Sequence, residues 1–152
     1  MPPTLLYNEG WLLRGVLHWF SQHRDIEHSL SFLPGSEWYS EGMLSSTFLP
    51  AFKGDKLAES YTHADGVIGS ISVGEAGRED VSLVKPYEQF IVLEAKLFSP
   101  LSKGTKNAPN YDQAARIVAC MANLLSLSSC SIHDLNSSGF YVLSPENQVA
   151  LR

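Results

Sequence analysis

The sequence contains few cysteines and no long apolar run. Cys120 and Cys130 are the only two thiols among 152 residues, and they do not form a Cys-x-x-Cys pair. So few cysteines indicate a reducing compartment. No stretch is long enough to span a bilayer, and the start of the chain, Met1–Thr4, lacks the basic region and apolar run of a signal peptide. We therefore expect a soluble, cytoplasmic protein with no membrane partner.

Positive charge is also scarce. The chain has 11 Lys and Arg residues against 16 Asp and Glu, for a net charge of −5. This balance argues against a nucleic-acid binder that relies on bulk charge. It does not exclude an enzyme with a local basic groove and acidic metal ligands, because the ligands themselves add negative charge. The length and the 44% content of hydrophobic residues suit one packed domain over residues 1–152.

Two common signatures of catalysis are missing. The segment Ser70–Gly74 has a serine where a nucleophile elbow needs its first glycine. His18, His23 and His28 recur every five residues, so they do not share one face of a helix. A histidine metal cluster is therefore not expected there.

The most informative segment is Phe90–Phe98, a nearly continuous apolar run. It predicts a β-strand that is covered on both faces. Because side chains alternate along a strand, Glu94 and Lys96 lie side by side on one face. Burying a charge costs several kcal/mol unless a partner or a metal offsets it. The pair is therefore either a structural ion pair or half of an active site.

A second unusual acid, Glu9, falls on a predicted helix. Apolar residues recur at helical spacing from Thr4 to about Phe20, with Thr4 as the predicted N-cap. Glu9 lies within the apolar stripe of this helix, where a solvated carboxylate is not expected. The alternative is an early acid that interacts favourably with the helix dipole.

A third acid, Asp65, interrupts the predicted strand Tyr61–Val73, where aspartate is disfavoured. The following Gly66 would let another backbone or a ligand approach closely, although Asp-Gly is also a turn dipeptide. If this strand neighbours the one with Glu94, the two acids can meet across the ladder at roughly 5 Å between β-carbons. Such close carboxylates repel each other unless a divalent cation lies between them. Hard oxygen ligands favour Mg²⁺ or Mn²⁺.

The remaining segments complete an α/β pattern. A helix is predicted from about residue 111 to 127, capped by Asn110, and a last strand follows over Gly139–Leu143. Gln113 lies three residues after Asn110, so a capping box is its structural interpretation. The elements follow the order helix, irregular strand region, strand, strand, helix, strand. This order predicts an α/β fold with a central mixed β-sheet flanked by α-helices.

The acids and the lysine also form a known motif. Asp-Gly at 65–66 followed by Glu-Ala-Lys at 94–96 resembles the PD-(D/E)XK nuclease superfamily, which has the restriction-endonuclease-like fold. The resemblance covers most of the chain, from the Glu9 helix to the final strand. Two positions depart from the pattern. Ala64 stands where the family's name has proline, and Ile117 stands where some exonuclease branches have tyrosine.

The resemblance implies a role for each matching residue. Asp65, Glu94 and the backbone carbonyl of Ala95 would bind Mg²⁺ or Mn²⁺, and Lys96 would orient or activate the attacking water. Glu9 matches a first-helix glutamate that often completes the catalytic and metal site. A glutamine in the following helix often supports the phosphate or the site, and Gln113 is at the matching position.

The function implied is metal-dependent hydrolysis of the phosphodiester bonds of nucleic acid, with DNA as the expected substrate. Lys103, Lys106 and Arg116 are candidates for contacts to backbone phosphates, which position a nucleic acid without reading its sequence. The alternative is a nuclease-fold module that binds nucleic acid or regulates a partner without catalysis. A homodimer or a larger assembly stays open.

Overall fold

A computed structural model describes residues 8–48, 61–75, 77, 79–97, 99–104 and 109–146. The elements, in chain order, are α1 (Glu9–Gln22), β1 (Glu37–Ser45), β2 (Tyr61–Gly69), β3 (Ile71–Val73), β4 (Val81–Leu83), β5 (Gln89–Ala95), α2 (Gln113–Leu127), a short 3-10 helix (Ile132–Asp134) and β6 (Ser137–Leu143). The predicted order of helices and strands is confirmed, with β3 and β4 added between two predicted strands.

The main sheet has four strands in the order β1-β2-β5-β6. β1 and β2 are antiparallel, as are β2 and β5, whereas β6 runs parallel to β5. A parallel neighbour needs a crossover connection, and α2 lies on that connection. The sheet is therefore mixed, as predicted, and the strands that carry Asp65 and Glu94 are neighbours, which is the condition for the two acids to meet.

The two faces of the sheet bury separate apolar layers. The layer on the α1 side contains Leu13, Leu17, Ile68, Ile91, Leu93 and Ala95. The layer on the α2 side contains Leu44, Ala64, Val67, Phe90, Val92, Ile117, Cys120 and Leu124, among others. All seven residues of β5 are buried, because this strand lies between the two layers. This explains why its sequence is an almost continuous apolar run.

The first helix begins later than the sequence pattern predicts. Asn8 is the N-cap, with extended backbone angles, and its Oδ1 accepts a hydrogen bond from the backbone N–H of Trp11 at 3.2 Å. Thr4, the predicted cap, lies outside the described residues. Because an asparagine side chain satisfies the free N–H groups of a first turn, α1 starts at Glu9. Glu9 is thus the first helical residue rather than part of a longer apolar stripe.

The second helix also begins later than predicted. Asp112 is the N-cap, and its Oδ1 accepts from the backbone N–H of Ala115 at 2.9 Å. The predicted cap at Asn110 is wrong, because the extended backbone of Asp112 excludes helix before Gln113. α1 has 14 residues and α2 has 15. Within the described ranges, no helix is long and apolar enough to cross a membrane.

The predicted strand Tyr61–Val73 is divided in two at Gly69 and Ser70. A Cβ on Gly69 would lie 2.1 Å from the carbonyl oxygen of Gln89, so a glycine is required for this close approach. The chain then forms a two-stranded antiparallel ribbon of β3 and β4 before it returns as β5. This ribbon accounts for part of the long separation of Asp65 and Glu94 along the chain.

Candidate active site

The C-terminal end of β5 holds the predicted acid and lysine. Glu94 is the penultimate residue of the strand, and Lys96 follows directly after its end. The Nζ atom of Lys96 donates to Glu94 Oε1 at 2.7 Å, in an ion pair that is largely enclosed by protein. The two side chains therefore lie on the same side of the sheet, as their spacing predicts, and face α2.

The two oxygens of the Glu94 carboxylate differ in their hydrogen bonds. Glu94 is 2% exposed, and its Oε1 accepts hydrogen bonds from Lys96 Nζ and Gln113 Nε2. Its Oε2 is buried and has no hydrogen-bond partner within the described part of the chain. Burial raises the pKa of Glu94; the hydrogen bond from Lys96 opposes this, and the negative charge of Asp65 adds to it. Buried polar atoms are normally satisfied, so this oxygen needs an explanation.

Asp65 approaches the same place from β2. The ladder between β2 and β5 ends at the pair Gly66 and Leu93, so Asp65 and Glu94 do not form the predicted ladder pair. Instead, Asp65 Oδ2 accepts a hydrogen bond from the backbone N–H of Ala95 at 2.8 Å. In a strand, the N–H and C=O of one residue face the same neighbour. The carbonyl of Ala95 is therefore expected on the side of β5 that faces β2.

The side-chain alternation of β1 and β2 shifts at the level of Asp65. Opposite it, Glu41 has a left-handed backbone with φ of 61°, which costs a non-glycine residue roughly 1–2 kcal/mol. Ala64 and Val67 consequently both pack in the layer on the α2 side. The side chains from Tyr61 to Val73 therefore do not follow the unbroken alternation of a single regular strand. This change in alternation occurs at Asp65, whose carboxylate bonds to the backbone at the end of β5.

Glu9 secures the chain that leaves β5. Its Oε1 accepts hydrogen bonds from the backbone N–H of Leu97 at 2.7 Å and from Ser99 Oγ at 2.9 Å. The start of α1 is thus joined to the segment directly after Lys96. The structure brings Glu9, Asp65, Glu94 and Lys96 to one end of the sheet, although Glu9 and Asp65 bond to backbone N–H groups.

Lys96 is held as an ammonium by its acidic neighbours. Burial would lower its pKa, but the hydrogen bond and charge of Glu94, with the charges of Glu9 and Asp65, outweigh burial and raise the pKa above 10.5. At neutral pH Lys96 is therefore protonated. It can donate hydrogen bonds and stabilise negative charge, but it cannot accept a proton.

Gln113 connects Glu94 to the loop after β5. Its Nε2 donates to Glu94 Oε1, and its Oε1 accepts from the backbone N–H of Ser102 at 3.0 Å. The backbone N–H of Gln113 in turn donates to the carbonyl of Ser102 at 2.9 Å. The capping-box interpretation of Gln113 is wrong, because Asp112 is the cap and the amide is used at the site.

The three predicted phosphate contacts differ in position. Arg116 is buried, and its guanidinium lies 3.4 Å from the carbonyl oxygen of Lys103 and 3.5 Å from Ser102 Oγ. Lys103 is exposed on the same loop, and Lys106 lies outside the described residues. Arg116 therefore supports the loop at the mouth of the site. Among these three, Lys103 is the exposed side chain that the structure describes.

Two serines of this loop have roles that the sequence reasoning missed. Ser99 donates its hydroxyl to Glu9, and Ser102 binds Gln113 through its backbone. Their position in a polar loop directly after a strand with a buried acid and lysine was the available signal. Loops that follow the ends of buried strands commonly carry functional residues.

A few oxygen groups at the end of β5 are the candidates for holding a metal ion. In the ranges that the structure describes, no three His, Cys, Asp or Glu side chains converge closely enough to hold a metal ion. The remaining set is the carboxylates of Asp65 and Glu94 with the carbonyl of Ala95. These are hard oxygen donors, which suit Mg²⁺ or Mn²⁺ better than zinc.

Comparisons of this chain with protein-family models, with curated proteins and with solved structures find no match.

Proposed function

We propose that this protein is a metal-dependent nuclease of the restriction-endonuclease-like fold, hydrolysing phosphodiester bonds of nucleic acid, with DNA as the first expected substrate. The observation that carries the proposal is the buried Oε2 of Glu94, which has no hydrogen-bond partner among the described residues. It lies beside Lys96 and Asp65 at the end of β5. The sequence resemblance runs from the Glu9 helix to the final strand, and the structure has helices and strands in the corresponding order: α1, β1, β2, β5, α2 and β6.

The residues at the site fit Mg²⁺ or Mn²⁺. Mg²⁺ usually keeps several waters and is bound by one or two carboxylates, so a third acidic side chain is not needed. Among the described residues at the site, the acids Glu9, Asp65 and Glu94 outnumber the single basic residue Lys96, and burial together with the negative charge of Asp65 raises the pKa of Glu94. A divalent cation held by Glu94 Oε2, Asp65 and the Ala95 carbonyl would balance the excess of negative charge.

The protein's own groups then have distinct roles. A bound cation supplies polarisation of the scissile phosphate and a lowered pKa for a bound water. Lys96, which stays protonated, holds the attacking water in line and stabilises negative charge that develops on the phosphate. Gln113 fixes Glu94 through Oε1 and leaves Oε2 directed to its ligand. Glu9 fixes the backbone at Leu97 and so the position of Lys96.

Substrate binding rests on few positive charges. Lys103 is exposed on the loop that Gln113 and Arg116 hold against the site. Contacts of this kind bind phosphates without reading base sequence. Because the chain has a net charge of −5, its nucleic-acid affinity should be modest and strongly weakened by salt.

The direct test is cleavage of plasmid DNA, single-stranded DNA and RNA in Mg²⁺ or Mn²⁺ by the wild type and by Lys96→Met. Loss of one catalytic donor should reduce the rate by about 10²–10³-fold. Lys85→Met is the matched control, because Lys85 is exposed and precedes β5, at the opposite end of the strand from the site. It should cleave like the wild type.

The outcomes separate the proposal from its alternative. Cleavage by the wild type and by Lys85→Met, with loss in Lys96→Met, supports the nuclease. Metal-independent binding of nucleic acid with no cleavage of any form supports the binding or regulatory module instead. Equal cleavage by Lys96→Met and the wild type would show that the activity comes from another site or a contaminant.

A further inference from the structure

Among the described residues, nothing pairs with the outer edge of β6. β6 pairs with β5 on one side, and the backbone N–H of Lys96 donates to the carbonyl of Leu143 at 2.8 Å. The backbone of Leu143 therefore faces β5, and alternation turns the N–H and C=O groups of Ser138, Phe140 and Val142 outward. In the part of the chain that the structure describes, no group hydrogen-bonds to these three outward residues.

The opposite edge of the sheet is protected in ways that β6 is not. β1 carries two acids, Glu37 and Glu41, and its regular pairing is interrupted where Glu41 is left-handed. The backbone N–H of Met43 is also bonded to the carbonyl of Glu79 at 2.8 Å. Charges, breaks and covering segments are the usual means by which edge strands avoid pairing. β6, with the sequence Ser-Ser-Gly-Phe-Tyr-Val-Leu, has neither a charge nor a proline.

The side chains along this edge are uncharged and partly apolar. Phe140 packs against the apolar layer on the α2 side, and alternation directs Ser138 and Val142 to the same side. Both are exposed, Val142 to 42%. Beside them, between β6 and α2, lies an apolar groove of about 340 Å³ whose lining includes Val118 and Ile132. An added strand would therefore meet apolar surface as well as free backbone groups.

We propose that two copies of this chain associate through their β6 edges, paired antiparallel about a two-fold axis at Phe140. In this register Phe140 lies opposite its counterpart, and Ser138 of each copy lies opposite Val142 of the other. Opposed residues of this kind exchange both N–H···O bonds, so every outward backbone group of the three residues is satisfied. The two four-stranded sheets become one continuous sheet.

A second copy fits this edge because the edge complements itself. The net charge of −5 disfavours contact between two copies, but no charged side chain lies on β6 to oppose pairing there. The two-fold axis places an aromatic pair at the centre, a favourable cross-strand combination. It also puts both α2 helices on the same side, so that the two grooves flank the seam, as in other interfaces of this symmetry. The assembly does not depend on the proposed nuclease activity.

The test is sedimentation equilibrium of the full chain over a dilution series, with variants that change only exposed edge residues. Ser138→Lys with Val142→Lys places like charges opposite each other and should raise the dimer Kd by about tenfold or more. Ser138→Lys with Val142→Glu places opposite charges in the same two pairs and should restore the wild-type Kd or lower it. Trp11→Lys is the control, because Trp11 is exposed to 54% on α1, away from the edge.

Each result either supports or overturns the proposed dimer. A dimer that the double lysine variant weakens, and the lysine–glutamate variant restores, establishes both the interface and its register. A wild type that is monomeric at every concentration overturns the proposal and leaves the edge for a strand of another protein. A dimer that is unchanged by both variants, or that Trp11→Lys disrupts instead, overturns it as well.

Discussion

Val92 and Glu94 are successive residues on one face of β5, and both are almost completely buried, with exposures of 0% and 2%. Val92 packs in the apolar layer on the α2 side. Glu94, two residues further along the strand, accepts hydrogen bonds from Lys96 and Gln113 and lies close enough to Asp65 to be affected by its charge. Equal burial therefore has opposite consequences at the two positions. At Val92 it removes apolar surface from water, and at Glu94 it raises the pKa of a carboxyl group.

The difference shows how one strand can serve both packing and chemistry. The apolar half of β5 is fixed from both sides by the two layers of the core, so the position of its polar end is set without help from the polar groups. Glu94 can then retain an oxygen that has no protein partner, within the described residues, because the core stabilises the strand. Sites built on rigid elements hold their reacting groups more accurately than sites on loops.

The largest effect should come from the apolar half. Phe90→Ala should lower the free energy of unfolding by about 3–5 kcal/mol, because Phe90 is fully buried and its removal leaves a cavity. Urea unfolding monitored by circular dichroism measures this change. If the variant remains folded, Mg²⁺ should stabilise it by the same increment as the wild type. A loss of less than about 1 kcal/mol would show that this half of β5 does not anchor the fold.

A smaller effect should come from Glu94→Gln, which keeps the shape and the Oε1 acceptor. At a Mg²⁺ or Mn²⁺ concentration 100 times the Kd, bound metal should stabilise the wild type by about 2.7 kcal/mol, and this increment should disappear in the variant. Thermal unfolding with and without metal measures it. Glu88→Gln is the control, because Glu88 lies before β5 at the other end and bonds to Asn136. An undiminished increment in Glu94→Gln would remove Glu94 from the metal site.

The order of elements and the meeting of acids at the end of β5 could be predicted from the sequence. A nearly continuous apolar run identifies a strand that is covered on both faces, and the charged Glu94 and Lys96 are conspicuous near its end. Asp65 was identified for the same reason, as an acid in a strand. These predictions depend on local pattern and on the pairing of two strands.

The partners of those acids could not be predicted. The bond from Ala95 to Asp65 depends on where the ladder ends and on the shift opposite Glu41, and glutamate does not mark a left-handed position. The start of α1 was also misplaced, because several cap-forming residues lie near the start of the chain and local rules do not choose between them. The bonds from Glu9 to Leu97 and Ser99 join residues about ninety positions apart.

Val92 and Glu94 also differ in how their contributions to stability depend on pH. Because the folded pKa of Glu94 lies above its ordinary value of 4.5, the folded protein binds this proton more tightly than the unfolded chain does. The stabilising contribution is complete below pH 4.5 and is lost as the pH rises through the folded pKa. Metal-free wild type should therefore lose stability relative to Glu94→Gln over this window, as measured by urea unfolding in matched buffers.

The titration of Lys96 does not change stability in the pH range where Glu94 titrates. Its raised pKa gives a contribution that is present below pH 10.5 and is lost only as the pH rises further, through its folded pKa. If the stability curves of the wild type and Glu94→Gln stay parallel as the pH rises from 4.5, the raised pKa of Glu94 is contradicted. Weaker binding of Mg²⁺ as the pH falls towards 4.5 should accompany the same titration.

The smallest effects should distinguish two adjacent residues at the start of α2. Asp112→Ala removes the N-cap and should cost about 1 kcal/mol of stability, with cleavage unchanged. Gln113→Ala should cost a similar amount, because it removes the bonds to Glu94 and Ser102. It should also slow cleavage, since Glu94 is no longer held from that side. Equal stability losses with unequal rates would assign Gln113 to the site, whereas equal rates would leave it a structural link between α2 and its loop.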